Sequence, residues 1–128
     1  MIIDTSAIVA ILLREPGYEL LVAKLGQAPV VGIGAPTLAE TGIVLTARLG
    51  PVGMSMLGRL IQESGSSIVP FGAAHWQAAV DAFDRFGKGR HPAGLNFGDC
   101  LSYALASLSN QPLLAVGEDF AQTDLDLA

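Results

Sequence analysis

Acidic residues in strongly apolar surroundings are the feature of this sequence that points to chemistry. Asp99 stands in the first turn of an apolar helix, and Asp4 directly follows the apolar start of the chain. Glu40 lies among apolar residues of another predicted helix, and Glu118 and Asp119 follow an apolar strand. Each alone has an ordinary explanation as a helix cap, a turn residue or a surface position. The recurrence of the pattern favours one shared acidic site.

A cluster of carboxylates suggests metal-dependent hydrolysis. Carboxylates packed together without a neighbouring Lys or Arg raise one another's pKa unless a cation neutralises them. Oxygen ligands of this kind favour Mg²⁺ or Mn²⁺, and such ions activate water and stabilise the leaving oxygen of a phosphodiester. We therefore predict a nuclease in which Asp4, Glu40 and Asp99 share a divalent ion, with Asp4 and Asp99 as metal ligands.

The predicted elements can bring these carboxylates together. Four short apolar strands alternate with helical segments, which predicts an α/β fold with a parallel sheet of four to five strands and helices on both faces. The carboxyl ends of parallel strands lie at one rim, where open sheets bind ligands, so Asp4 and the Glu118–Asp119 pair meet there. Glu40 and Asp99, near the starts of helices, can converge on the same rim. The strands are predicted at residues 1–4, 30–33, 67–70 and 113–116.

Two helices carry further expectations. Thr5 or Ser6 is expected to cap the first helix, since hydroxyl side chains accept hydrogen bonds from free N–H groups at helix starts. A helix from about residue 72 to 86 places several large apolar side chains at core spacing. Those side chains are Trp76, Ala79, Val80 and Phe83.

Composition places the chain among compact cytosolic proteins. Its 128 residues are 51% hydrophobic, which is enough for one domain, residues 1–128, with its own core. The only cysteine is Cys100, so no internal disulfide can form, and this suits a reducing cytoplasm. No apolar stretch is long enough to cross a membrane, and no signal peptide is recognisable.

The net charge of −5 argues at first against a nucleic-acid partner, because phosphate binding favours a basic surface. If four carboxylates cluster, however, they carry most of that charge and leave a nearly neutral scaffold. The loop of residues 87–94 is basic and rich in glycine, but it lacks the spacing of a phosphate-binding loop. Lys88 and Arg90 in this loop are the candidates for contacts with a substrate backbone. Arg48, Arg85 and His91 are further candidates.

At the level of motifs, the chain resembles PIN-domain ribonucleases, and among them the VapC-like toxins of type II toxin–antitoxin systems. The resemblance spans the whole chain in the correct order. The motifs that carry it are Ile3-Asp4-Thr5-Ser6-Ala7, the helix with Ala39-Glu40, Leu95-Asn96-Phe97-Gly98-Asp99-Cys100, and Gly117-Glu118-Asp119-Phe120-Ala121-Gln122-Thr123-Asp124.

This resemblance implies a PIN-like fold, Mg²⁺- or Mn²⁺-dependent cleavage of RNA, a homodimer and a cognate VapB-like antitoxin. It points to a loop of transfer or ribosomal RNA as the substrate. Asp4, Glu40 and Asp99 match the first three acidic positions, whereas either Glu118 or Asp119 can be the fourth. Ser6 matches a small polar residue near the metal. Asn96 and Thr123 are expected to support the site through hydrogen bonds.

Apolar residues on the first, second and fourth helices are expected to exceed what so small a domain can bury. Part of this surface is predicted to form the dimer interface, and part a groove for the antitoxin. The residues concerned are Leu12, Leu21, Leu25, Met54, Met56 and Leu57.

Two other functions remain open from the sequence. A phosphatase could use Asp4 as its nucleophile, although such enzymes place a second Asp where this chain has Ser6. A catalytically inactive PIN-like domain could bind an antitoxin or nucleic acid without cleaving it. Cys100 is a weaker nucleophile candidate, since no predicted base flanks it.

Overall fold

The computed structural model describes all residues from 1 to 128 and contains a parallel sheet of four strands. The strands are β1 (Ile2–Ile3), β2 (Gly32–Gly34), β3 (Ser67–Val69) and β4 (Leu113–Leu114). They lie in the order β3-β2-β1-β4, so β1 and β2 are central. Ile2 pairs with Gly32 on one side and with Leu113 on the other.

Six α-helices cover the sheet, and the predicted α/β architecture is therefore present. They are α1 (Thr5–Leu12), α2 (Tyr18–Gln27), α3 (Ala35–Leu49), α4 (Pro51–Ser64), α5 (Ala73–Phe86) and α6 (Phe97–Ser109). A short 3₁₀ helix follows at Phe120–Gln122. None of the helices combines the length and the apolarity that crossing a membrane requires.

The sheet separates the buried apolar residues into two cores, one on each of its faces. Ile3 and Leu114 face one side, where they pack with apolar residues of α1 to α4. Ile2 and Leu113 face the other side, against α5 and α6. Successive side chains of a strand point to opposite faces, and all four of these are at most 5% exposed. The helices thus lie on both faces of the sheet, and the carboxyl end of β1 emerges between the two cores.

Two expectations about individual helices are wrong. The cap of α1 is Asp4, whose carboxylate accepts from the backbone N–H of Ser6, while Thr5 and Ser6 belong to the helix. On α5 only Ala79 of the expected core set is buried, at 8% exposure. The helical spacing correctly places Trp76, Val80 and Phe83 on one apolar face of α5. They are exposed because the neighbouring helices leave that face uncovered.

Candidate active site

Asp4 is the most buried carboxylate of the site. It follows β1 directly, and only 3% of its surface is exposed. Its Oδ2 accepts hydrogen bonds from the Ser6 backbone N–H at 2.9 Å and from the Ser6 hydroxyl at 2.6 Å. Its Oδ1 accepts one from the Ser102 hydroxyl at 2.5 Å. These three bonds hold both carboxylate oxygens without any cationic side chain.

Glu40 reaches the same region from the second turn of α3. The Thr5 hydroxyl donates to Glu40 Oε1 at 2.6 Å, and the Thr41 hydroxyl donates to Thr5 Oγ1 at 3.1 Å. The carboxylate also packs against Gly98 at the start of α6, where an added Cβ would lie 2.8 Å from Glu40 Cδ. Glycine therefore makes room for Glu40 beside the helix that carries Asp99.

Asp99 is fixed by a reciprocal cap at the start of α6. The Asn96 side chain accepts from the Asp99 N–H at 2.9 Å, and Asp99 Oδ2 accepts from the Asn96 N–H at 3.0 Å. The pKa of Asp99 is raised from 3.8 to about 6, mainly by burial and in smaller part by the charges of Asp4, Asp119 and Glu40, against the lowering effect of the Asn96 N–H. The electrostatics thus link Asp99 to three other carboxylates.

Of the two candidates for the fourth acidic position, Asp119 is the one that influences Asp99. The charge of Asp119 contributes to the raised pKa of Asp99, whereas that of Glu118 is not among its causes. Both side chains are exposed. Phe120, which follows them, is only 3% exposed and anchors this segment in the core.

The chemistry of these side chains fits a divalent cation such as Mg²⁺. All of the candidate ligands are carboxylate oxygens, the type that this ion favours. The four salt bridges of the structure, Arg48–Glu15, Arg59–Glu63, Arg85–Asp124 and Arg90–Asp84, leave the site carboxylates without a cationic partner. No three His, Cys, Asp or Glu side chains group closely enough to hold a metal by themselves. Mg²⁺ commonly takes only one or two carboxylates and completes its shell with water and phosphate.

The expected supporting residues divide into those that reach the carboxylates and one that does not. Ser6 bonds to Asp4, and Asn96 bonds to Asp99. The hydroxyl of Thr123 instead donates to the Phe120 carbonyl at 2.7 Å and accepts from the Leu125 N–H. Thr123 therefore shapes the turn after the 3₁₀ helix, and its expected hydrogen bond to the acidic site is absent.

Thr5 and Ser102 also form hydrogen bonds to the site carboxylates, a role that was not predicted from the sequence. Thr5 was expected only as a possible cap of α1, yet it donates to Glu40. Ser102 lies three residues after Asp99, a spacing that puts both on one face of a helix. A hydroxyl at that spacing within an apolar helix is the signal that could have identified Ser102.

The basic loop stands near the start of α6, but its cations differ in their partners. Arg90 pairs with Asp84 at 3.0 Å, whereas Lys88 is exposed and takes part in no salt bridge. Arg85 is held by Asp124 and Tyr103. Among these candidates Lys88 is thus the cation whose charge is not already paired.

The alternative nucleophile is poorly placed. Cys100 is buried at 4% exposure, and burial, together with the charge of Asp99, raises the pKa of its thiol to about 11. At neutral pH the thiol is therefore protonated, whereas a nucleophilic cysteine reacts as the thiolate.

The raised pKa of Asp99 predicts how the metal-free protein responds to pH. Its carboxyl ionises near 3.8 when exposed and near 6 in the folded protein, so between these values the folded state binds more protons than the unfolded state. Stability should then fall as the pH rises from about 4 to about 6 and stay lower above it. Thermal unfolding in EDTA at pH 5.0 and 7.5 should show this loss, and Asp99→Asn should reduce it. An equal loss in Asp99→Asn would contradict the assignment.

The PIN domain family matches residues 1–125, and the chain therefore belongs to the PIN-domain family. The expected fold and the resemblance seen in the motifs are confirmed.

More narrowly, the chain groups with the VapC ribonucleases. It is 54% identical to Ribonuclease VapC36 of Mycobacterium tuberculosis, over 98% of this chain and 91% of that protein. Two solved structures share its fold with a TM-score of 0.79 each. One is VapC20 of Mycobacterium tuberculosis, described as a sarcin-ricin loop cleaving toxin, at 20% identity over 99% of this chain and 97% of that one. The other is VapBC2 of Rickettsia felis bound to a promoter DNA fragment, at 18% identity over 99% and 96%.

Proposed function

We propose that residues 1–128 form a single PIN-like domain that cleaves RNA phosphodiesters with Mg²⁺ or Mn²⁺, as the toxin of a VapBC-type system in the cytoplasm. The observation that carries this proposal is that Asp4, bonded to Ser102, and Glu40, packed against Gly98, both lie beside the helix that carries the half-buried Asp99, and their charges contribute to its raised pKa. Carboxylates arranged in this way without a cationic partner favour a bound divalent ion.

Asp4 and Asp99 are the proposed metal ligands. The bound ion would activate water and stabilise the leaving oxygen of the phosphodiester. Ser6 bonds to Asp4, and Asn96 bonds to Asp99, so that both carboxylates are held in place before substrate arrives. Glu40, held by Thr5, is available to accept a proton or to orient water at its free oxygen.

Asp119 is the proposed fourth acidic residue, in preference to Glu118. Its support is the effect of its charge on Asp99. The segment that carries it is exposed up to Phe120, so the carboxylate can approach a substrate from the solvent side of the site.

A cleavage assay tests the function directly. Purified protein is incubated with total cellular RNA or with DNA, in Mn²⁺ or in EDTA, and products are resolved on denaturing gels. We expect metal-dependent cleavage of RNA, preferentially within structured RNAs. Equal cleavage of DNA and RNA, or RNA products that persist unchanged in Asp4→Ala, would refute the proposal.

Lys88 is proposed to contact the RNA backbone, with Arg90 as a weaker contributor because Asp84 already pairs with it. Since each phosphate contact releases counterions, Lys88→Ala should weaken RNA binding several-fold at low salt and reduce its salt dependence. Filter binding from 50 to 300 mM salt measures both quantities in Asp99→Asn, which is used to prevent cleavage.

Arg59→Ala is the matched control for Lys88→Ala, because it removes one positive charge from the exposed face of α4, where Arg59 pairs only with Glu63. An equal loss of binding in the two variants would show a general charge effect and contradict a contact at Lys88.

A VapB-like antitoxin is the proposed protein partner, since the similar solved structures include a VapBC pair. Of the apolar residues expected to form the dimer interface and the antitoxin groove, Leu25 and Leu57 are buried, and Leu12 and Leu21 pack against the same core. Met54, from the same expected set, is exposed. We propose that it forms the antitoxin surface together with three further exposed side chains, Leu20 and Val22 on α2 and Val52 on α4.

A homodimer is proposed through a different surface, a groove of about 910 Å³ between α3, α5 and α6. Glu40 is the only charged residue in its lining. Val80 and Phe97 border it and are 61% and 81% exposed. A projecting aromatic beside an apolar groove allows a two-fold pair in which Phe97 of each copy enters the groove of the other.

Two substitutions of equally exposed residues separate these surfaces. Val80 is 61% exposed in the groove, and Leu20 is 62% exposed on α2. Because a buried charge without a partner is costly, Val80→Glu should convert the dimer to a monomer at micromolar concentration, whereas Leu20→Glu should stay dimeric. Light scattering coupled to gel filtration gives the masses. A dimeric Val80→Glu would contradict the proposed interface.

A further inference from the structure

A buried hydroxyl joins the three segments that carry the first three carboxylates. Ser102 is 1% exposed on α6, one turn after Asp99. Its Oγ lies 2.5 Å from Asp4 Oδ1, at the end of β1, and 3.5 Å from Thr37 Oγ1, on the helix that carries Glu40. Thr37 is itself 3% exposed.

The chemistry of these groups assigns the direction of the hydrogen bonds. An ionised carboxylate can only accept, so the single hydroxyl proton of Ser102 is donated to Asp4. In the longer contact Ser102 then accepts, and Thr37 is the donor. The two hydrogen bonds run in series from Thr37 through Ser102 to Asp4, and such a series tends to strengthen the bond from Ser102 to Asp4 by polarisation.

The bonds to Asp4 also determine which of its lone pairs remain free. A carboxylate offers about four acceptor sites, two on each oxygen. Ser6 takes both sites of Oδ2 through its N–H and its hydroxyl. Ser102 takes one site of Oδ1. The remaining acceptor site of Asp4 is therefore on Oδ1, and the bond from Ser102 orients that oxygen.

We propose that Ser102 is a positioning residue that aims Asp4 Oδ1 at the divalent ion, with Thr37 supporting it. This inference rests on the proposed metal-dependent function. Ser102 acts through Asp4 only, since its hydroxyl is buried and its one proton is committed to the carboxylate. Its loss should weaken metal binding while the fold is retained.

Calorimetric titration with Mn²⁺ tests this role without relying on activity. Loss of a group that orients a metal ligand commonly weakens metal affinity by about 10- to 100-fold, and this is the weakening expected for Ser102→Ala. Ser102→Thr keeps the hydroxyl and should recover most of the affinity. The control is Ser109→Ala, which removes a hydroxyl from the same helix that bonds only to the Leu105 and Ala106 carbonyls.

The outcomes distinguish a failure of the proposed metal-dependent function from a failure of the positioning role of Ser102. If the native protein does not bind Mn²⁺, the proposed function itself fails. If it does bind and Ser102→Ala, folded by circular dichroism, binds equally well, the positioning role is wrong. Should Ser102→Ala not fold, Ser102→Cys keeps nearly the same volume with a weaker donor. Native Mn²⁺ affinity in that variant would overturn the proposal, and reduced affinity with retained fold would support it.

Discussion

Asp99→Asn is expected to lower RNA cleavage by about 100-fold or more. Asn keeps the shape of the side chain and an acceptor oxygen for the Asn96 N–H, so the cap of α6 is preserved. It removes the negative charge that would bind the metal, and stabilisation of transition-state charge by a metal is worth several kcal/mol, which corresponds to roughly this factor. Initial rates on a defined RNA at saturating Mn²⁺ give the ratio to the native protein.

The folded state should tolerate this change. Burial and three neighbouring carboxylates raise the pKa of Asp99, so in the metal-free protein above pH 6 its charge opposes folding, and Asn relieves that opposition. The control is Asp81→Asn on the exposed part of α5, which removes an equal charge outside the site. Native-like cleavage by a folded Asp99→Asn would refute the metal-ligand assignment, as would an equal loss in Asp81→Asn.

Gly98→Ala is expected to reduce cleavage by about 10- to 100-fold while the fold is retained. A methyl group at this position would contact the Glu40 carboxylate, whose Cδ would be only 2.8 Å away. The far end of a flexible side chain can move at little cost, so Glu40 should swing aside and the fold should persist. Displacement of a catalytic group by about 1 Å can cost 100-fold in rate.

Gly58→Ala on α4 is the matched control, because an added Cβ there meets no atom within 4 Å. Both changes replace a helical Gly by Ala, which favours the helix by about 1 kcal/mol. Only Gly98→Ala should lose activity, and thermal unfolding should show both variants folded. Equal activity of the two variants would show that Glu40 does not need its place against α6.

Much of the architecture could be predicted because it depends on local patterns. Short apolar strands alternating with helical segments predicted the parallel sheet, and all four strands form within a residue or two of the expected positions. The same parsing placed Asp4 at the end of a strand and Asp99 in the first turn of a helix. The family resemblance is likewise carried by short motifs that are readable without a structure.

Helical spacing predicted which side chains share a face but not what covers that face. Trp76 and Val80 have core spacing yet are 55% and 61% exposed, because they line an open groove between α3, α5 and α6. Leu25 and Leu57 were expected to contribute to a partner surface, and they are buried by the packing of α2 and α4 on the first core. Burial depends on neighbours that are distant in sequence.

The sequence by itself determined which acidic residues stand at the ends of apolar elements, since that property is local. Only the tertiary structure decided how they are held. Ser102 reaches Asp4 across 98 residues of chain, and Glu40 lies against Gly98 because a side chain at that position of α6 would occupy the space of its carboxylate. Hydrogen bonds and steric room of this kind are set by the distances between packed elements. No periodicity or motif within one segment encodes those distances.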